Sequence, residues 1–141
     1  GIDQELLAIL SQRKKYESWR SRDSVEIPRP VEAFYGPMAV LENERSASNA
    51  EMFPEGFKTL GLGKVIGVPT YGAVIGTGAF RLLDGSTLRT PSVGVYTATG
   101  QNFENYGVPP DVYVDNSPGD FLAGHDRQIE KAVEVLSAEI N

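Results

Sequence analysis

The 141 residues carry 13 basic and 19 acidic side chains, one histidine and no cysteine, and 40% of them are hydrophobic. That length suffices for one domain with a core of its own; the absence of thiols excludes disulfide scaffolds, cysteine-bound zinc and thiol catalysis, and a lone His125 excludes a multi-histidine metal site. A net charge of −6 opposes a nucleic-acid surface, and no apolar run approaches the roughly 18 residues that a membrane span requires.

Ile2-Asp3-Gln4-Glu5-Leu6-Leu7 reads as a helix start, with Asp3 as the N-cap and Ile2 closing on Leu7 as a hydrophobic staple. The helix fades into the charged stretch 13–23, a solvated face or loop, and Pro28 and Pro30 then force an extended, edge-like segment. After the Gly36-Pro37 turn, Met38-Ala39-Val40-Leu41 reads as a short buried strand and Lys64-Val65-Ile66-Gly67-Val68 as another. Between them, residues 49–60 place Phe53, Phe57 and Leu60 on one helical face. Pro54 kinks this helix, and Gly61 or Gly63 ends it. A strand, a helix and a strand with short connections form a parallel unit. Residues 80–83 and 86–89 flank Asp84-Gly85 as a hairpin, and the alternation of residues 92–97 predicts a further strand.

The pairs Gly61-Leu62-Gly63 and Gly76-Thr77-Gly78 lack phosphate-loop spacing and read as turn and bulge glycines. Residues 106–110 turn the chain into a short strand near residues 112–114, and Ser117-Pro118-Gly119-Asp120 reads as a loop. The terminal helix is capped by Asp126 and carries Ile129, Ala132, Val133, Leu136 and Ile140 as one apolar stripe. Three helices around a β-rich middle give the α/β class.

Chemistry centres on Ser46-Ala47-Ser48-Asn49-Ala50-Glu51, between a strand and a helix. One reading is a capping box in which Ser48 and Glu51 satisfy each other's backbone amides. The other is a serine nucleophile at a strand-to-helix turn, where free amides and the helix dipole favour an oxyanion. Both can hold at once, and the residue pattern does not choose between them. A nucleophilic serine needs a base. His125 stands just before the terminal helix cap, where a histidine is ordinarily a surface residue. Lys58 and Lys64 show no special setting in the sequence. Glu104 lies in the polar loop 101–107, and no G-x-S-x-G elbow occurs.

Five ordered segments resemble the catalytic core of tail-specific and tricorn-type serine peptidases: residues 36–41, 46–51, 64–72, 104–111 and 128–132. The resemblance runs from Gly1 to about Leu136 and implies a ClpP/crotonase-like α/β core with a β-rich hairpin region and a C-terminal helix. It selects Ser48 as nucleophile, the Asn49 backbone amide as one arm of the oxyanion hole and Glu104 as the acid of the charge network. The tail-specific branch uses a lysine base in a T-x-G-K segment, where this chain reads Thr70-Tyr71-Gly72-Ala73. The tricorn branch uses a histidine of an upstream Ser-His pair, and its R-x-N-x-G-G turn leads into a helix like that at residues 4–10. Gly1 then stands as the last glycine of that turn and its amide as the second oxyanion arm.

By this resemblance residues 1–141 are a single domain, the C-terminal part of a peptidase catalytic domain, cut from a longer chain as the opening Gly1 suggests. The implied partners are short or unfolded peptide substrates, upstream domains of the parent chain and further copies in a homo-oligomer, with no cofactor, metal, nucleic acid or membrane. The isolated chain is expected to be inactive because its general base lies upstream. The alternative is a non-catalytic ligand- or partner-binding domain of the same fold. Absence of cysteine suits a cytoplasm, with a periplasm as the other option.

Overall fold

The computed structural model describes residues 1–23 and 25–140. In chain order they form α1 (Ile2–Leu10), β1 (Glu17–Arg20), β2 (Glu26–Arg29), β3 (Ala39–Glu42), α2 (Asn49–Thr59), β4 (Lys64–Gly67), β5 (Ile75–Arg81), β6 (Thr87–Gly94), β7 (Val112–Tyr113), α3 (Pro118–Ala123) and α4 (Arg127–Ile140). The α/β expectation is met. A three-stranded sheet has the order β3-β4-β7 with both pairings parallel, and two separate antiparallel hairpins, β1-β2 and β5-β6, stand beside it. Among the described residues no helix is long and apolar enough to cross a membrane.

The β3-α2-β4 unit is the centre of the fold. Val65 on β4, Phe57 on α2 and Leu62 after it form a buried cluster, against which Leu7, Leu10, Met38, Val40 and Phe53 pack. The α2 helix ends as Gly61 takes φ +64: the Gly61 N–H donates to Lys58 O at 2.9 Å and the Leu62 N–H to Phe57 O at 3.1 Å. Glycine adopts that left-handed conformation without strain, and the reversal drops Leu62 onto Phe57. Pro54 lies buried inside the helix, which runs on to Thr59. Leu60, expected on the buried stripe, is exposed because the reversal begins there. A second cluster, Val74, Phe103 and Val108 with Met52 and Val95 against it, fills the other flank of α2.

Several local readings change. The helix α1 begins at Ile2 with Gly1 in the cap position, so Asp3 lies within its first turn and caps nothing. No staple forms, since Leu7 joins the core while Ile2 is exposed. The charged stretch 13–23 contains β1, which pairs with β2. All four β1 residues are exposed, so no buried face gave a periodic signal. The hairpin is instead tied by ion pairs from Lys15 and Arg20 to Glu26 and by the Arg29 guanidinium 4.0 Å over the Trp19 ring.

Residues 92–94 continue β6 rather than opening a strand of their own, and Tyr96 makes only an isolated bridge to Asn102. The loop read at residues 117–120 is the start of α3, with Ser117 as cap and Pro118 in the first turn. The Ser117 hydroxyl and amide, with the Arg127 guanidinium, hold the Asp120 carboxyl down at about 2 and fasten α3 to α4. Asp126 caps α4 as expected, accepting from the Gln128 and Ile129 amides at 3.0 and 3.1 Å. The expected α4 stripe is split: Ala132 and Leu136 are half-buried, whereas Ile129, Val133 and Ile140 are exposed.

Phe57→Ala removes the ring at the centre of the first cluster and is expected to cost about 3–5 kcal/mol in denaturant unfolding. Phe121→Ala, on an exposed face of α3, is expected to stay within about 0.5 kcal/mol.

Candidate active site

The turn that follows β3 brings Ser48 to the N-terminus of α2 in an unusual conformation. Its φ of 59 and ψ of −121 lie outside the extended geometry of an ordinary N-cap, in territory that non-glycine residues occupy at a cost of about 1–3 kcal/mol. The residue is exposed and forms the expected capping box, its side chain facing the Glu51 backbone and Glu51 reaching back to its amide, while the Glu51 N–H also goes to the Ser48 backbone carbonyl at 2.8 Å. The Asn49 N–H, first of the helix, has no acceptor among the described residues. An exposed serine hydroxyl thus stands beside an unsatisfied amide at the positive end of a helix dipole.

Glu51 makes this arrangement possible. It is fully buried, and its carboxylate accepts the Ser48 N–H at 3.2 Å, the Gly72 N–H at 2.6 Å, the Ala73 N–H at 2.8 Å and the Thr70 hydroxyl at 2.5 Å. The sequence pattern marks Glu51 only as the N3 residue of a capping box. That local arm is made, but three of its four donors come from residues about twenty positions away. No local signal could have pointed to them.

The segment from Thr70 to Val74 is gripped from both sides. On the side of the α2 turn, the Ser48 N–H donates to Ala73 O at 3.2 Å and the Tyr71 N–H to Ser46 O at 2.9 Å. On the other, the Asn105 N–H donates to Gly72 O at 2.8 Å, and Thr70 and Val108 exchange two bonds, Thr70 N–H to Val108 O at 3.1 Å and Val108 N–H to Thr70 Oγ1 at 2.8 Å. Gly72, at φ +85, lets the backbone of Asn105, Tyr106 and Gly107 approach closely; a Cβ there would lie 3.1 Å from Gly107 N. Glu104 is half-buried in this second loop and accepts the Val74 N–H at 3.0 Å through Oε2. Ser48 and Glu104 therefore sit on opposite flanks of one short segment, each bonded to its backbone.

Gly1 belongs to the same neighbourhood. A Cβ built on it would meet Asn49 Nδ2 at 3.0 Å, so the N-terminus of α1 adjoins that of α2. Ile2, Asp3, Leu6, Asn49, Ala50 and Phe53 line an apolar groove of about 310 Å³ between the two helices. The other groups considered as bases lie elsewhere or are engaged. His125 is exposed at the α3-α4 junction with its Nδ1 3.2 Å from Glu130 Oε1. Lys58 binds Glu55 at 3.2 Å and the Pro109 carbonyl at 2.6 Å. Lys64 pairs with Ala39 at the starting end of the parallel strands, whereas Ser48 follows their finishing end.

The model of peptidase family S41 matches residues 2–114. The tricorn protease of Thermoplasma acidophilum is 40% identical over 115 residues, 80% of this chain and 11% of that protein. Tricorn protease homolog 1 of Streptomyces coelicolor is 37% identical over 113 residues, 79% of this chain and 11% of that protein. A crystal structure of the tricorn protease superposes with a TM-score of 0.90 at 35% identity, over 98% of this chain and 14% of that one. The photosystem II D1 C-terminal processing protease gives a TM-score of 0.52 at 30% identity, over 56% of this chain and 20% of that one. The chain thus spans about a ninth of the length of the curated relatives it matches.

Glu51→Ala leaves the Gly72 and Ala73 amides and the buried Thr70 hydroxyl without their acceptor, and is expected to lower stability by about 3–5 kcal/mol in chemical denaturation followed by circular dichroism. Glu51→Gln keeps one acceptor oxygen and is expected to lose about 1–3 kcal/mol.

Proposed function

The chain belongs to peptidase family S41, and on that premise we propose that it carries the nucleophile of a tricorn-like serine endopeptidase acting on short or unfolded peptides. The observation that carries the proposal is Ser48: exposed, strained at φ 59 and next to the unsatisfied Asn49 amide. A helix cap needs none of these features, nor does a carrier domain of the same fold. Strain held in place by a buried carboxylate fits a residue kept ready to react.

In the proposed reaction Ser48 Oγ attacks the scissile carbonyl carbon and passes its proton to a base. The Asn49 N–H, with the Gly1 N–H from the adjoining helix start, stabilises the oxyanion. Collapse expels the amine, which takes the proton, and water then hydrolyses the acyl-serine ester. Glu104 serves as the acid of the charge network on the far flank of residues 70–74. Ala73 adjoins Ser48, with its carbonyl 3.2 Å from the Ser48 amide. It is the position at which the tail-specific branch of the resemblance has its lysine, and a methyl group cannot take a proton. The base is proposed to be a histidine supplied from outside residues 1–141, which form the C-terminal part of the catalytic domain. The partners proposed with it are peptide substrates, upstream domains of the parent chain and further copies in a homo-oligomer.

Fluorophosphonate labelling of the full-length protein tests this reading. Ser48→Ala is expected to abolish labelling, and Glu104→Ala to slow it by on the order of 10² to 10⁴. Residues 1–141 alone are expected to label at least about 10⁴-fold more slowly than the full-length protein. Undiminished labelling of Ser48→Ala would refute the nucleophile assignment.

A further inference from the structure

The strand that leads to the nucleophile turn ends in a buried acid with nothing to bind. Side chains alternate along β3, so Glu42 shares the face of Val40, which packs on the cluster around Phe57 of α2. Glu42 is 3% exposed, and neither carboxylate oxygen has a hydrogen-bond partner among the described residues. Its partner across the parallel pairing is Gly67, which offers no side chain.

The charged groups around it are already committed. From α2 come Glu51, saturated by four donors, and the pair Glu55–Lys58, whose ammonium also binds the Pro109 carbonyl. From the approach to β7 comes Asp111, which accepts the Val65 N–H at 2.8 Å. The remaining helix against the sheet, α4, carries Arg127, Glu130, Lys131, Glu134 and Glu139, the last lining a pocket with Lys58, Lys64 and Asp111. Arg127 is paired with Asp120, Glu130 with His125 and Lys131 with Glu134, so none is bonded to Glu42. A charge on Glu42 would have no partner and little water.

We propose that Glu42 is a pH-sensitive device beneath the nucleophile helix: protonated, it lets α2 seat on the sheet, and its ionisation loosens that seat and the Ser48 turn above it. Burial is the main force, with Lys58 opposing it and Asp111, Glu55 and Glu51 adding to it, and the carboxyl is pushed from 4.5 up to about 7. The sign follows from linkage. The folded state holds the proton more tightly than the unfolded chain, so the stability is fully present below about 4.5. It is lost as pH rises through about 7, and is constant above. That shift corresponds to a fall in the folding constant on the order of 10²-fold.

The test compares wild type with Glu42→Gln, an isosteric side chain that cannot ionise. Chemical denaturation at pH 5 and pH 8.5 is expected to show the folding constant of the wild type falling on the order of 10²-fold further than that of the variant. Amide exchange in α2 is expected to be faster in the wild type than in the variant at pH 8.5 and equal at pH 5. Should the variant fail to fold, a ¹³C-carboxyl titration of the wild type decides, with Glu42 expected to titrate near 7. Parallel pH dependence of the two proteins, α2 exchange that does not differ at pH 8.5, or Glu42 titrating below about 5 would overturn the proposal.

Discussion

A single buried carboxylate holds the working end of this molecule together. Glu51 takes its four donors from the turn before α2 and from residues 70–73, so it ties the start of a helix to a segment that otherwise meets that turn through two backbone bonds. Burying a carboxylate costs several kcal/mol, and three amides and a hydroxyl are what make that tolerable. The same bonds hold Ser48 in a conformation it would otherwise leave. Thr70 extends the network: its hydroxyl donates to Glu51 and accepts the Val108 amide, so the Glu104 loop is tied to the same anchor.

Around that anchor the packing is two-sided. One cluster presses Phe57 against β4, and the other sets Met52 against Val74 and Phe103. Helix α2 is therefore clamped along its length by apolar contact and at its first turn by charge-assisted hydrogen bonds. Those two kinds of force act on different atoms. Apolar burial fixes where the helix lies but does not choose the dihedral angles of the residue before it. Directional hydrogen bonds do, and Ser48 adopts its positive φ where they converge.

Glu42 and Glu51 show how differently two acids can be buried on one interface. Glu51 is met by donors on both oxygens, whereas Glu42 is met by none. The first holds a loop in place; the second leaves the interface sensitive to its own protonation.

Much of this was legible in the amino-acid sequence. The β3-α2-β4 unit, the β5-β6 hairpin and α4 announce themselves through short apolar runs, Asp84-Gly85, Gly61 and the cap at Asp126, because each depends on neighbours a few residues away. The short helix α3 left a trace in Ser117-Pro118-Gly119-Asp120 but is too brief for a periodic pattern. The β1-β2 hairpin is tied by ion pairs and a ring stack across the strands, and those leave no hydrophobic period. What the chain determined by itself was its class, its local elements and the candidates Ser48 and Glu104. Only the tertiary structure decided that Ser48 caps its helix in a strained conformation, that Glu51 anchors two loops and that Glu42 is buried without a partner. Each of those depends on groups far apart in the chain, whose distances are set when the sheet, α2 and the loops close on one another.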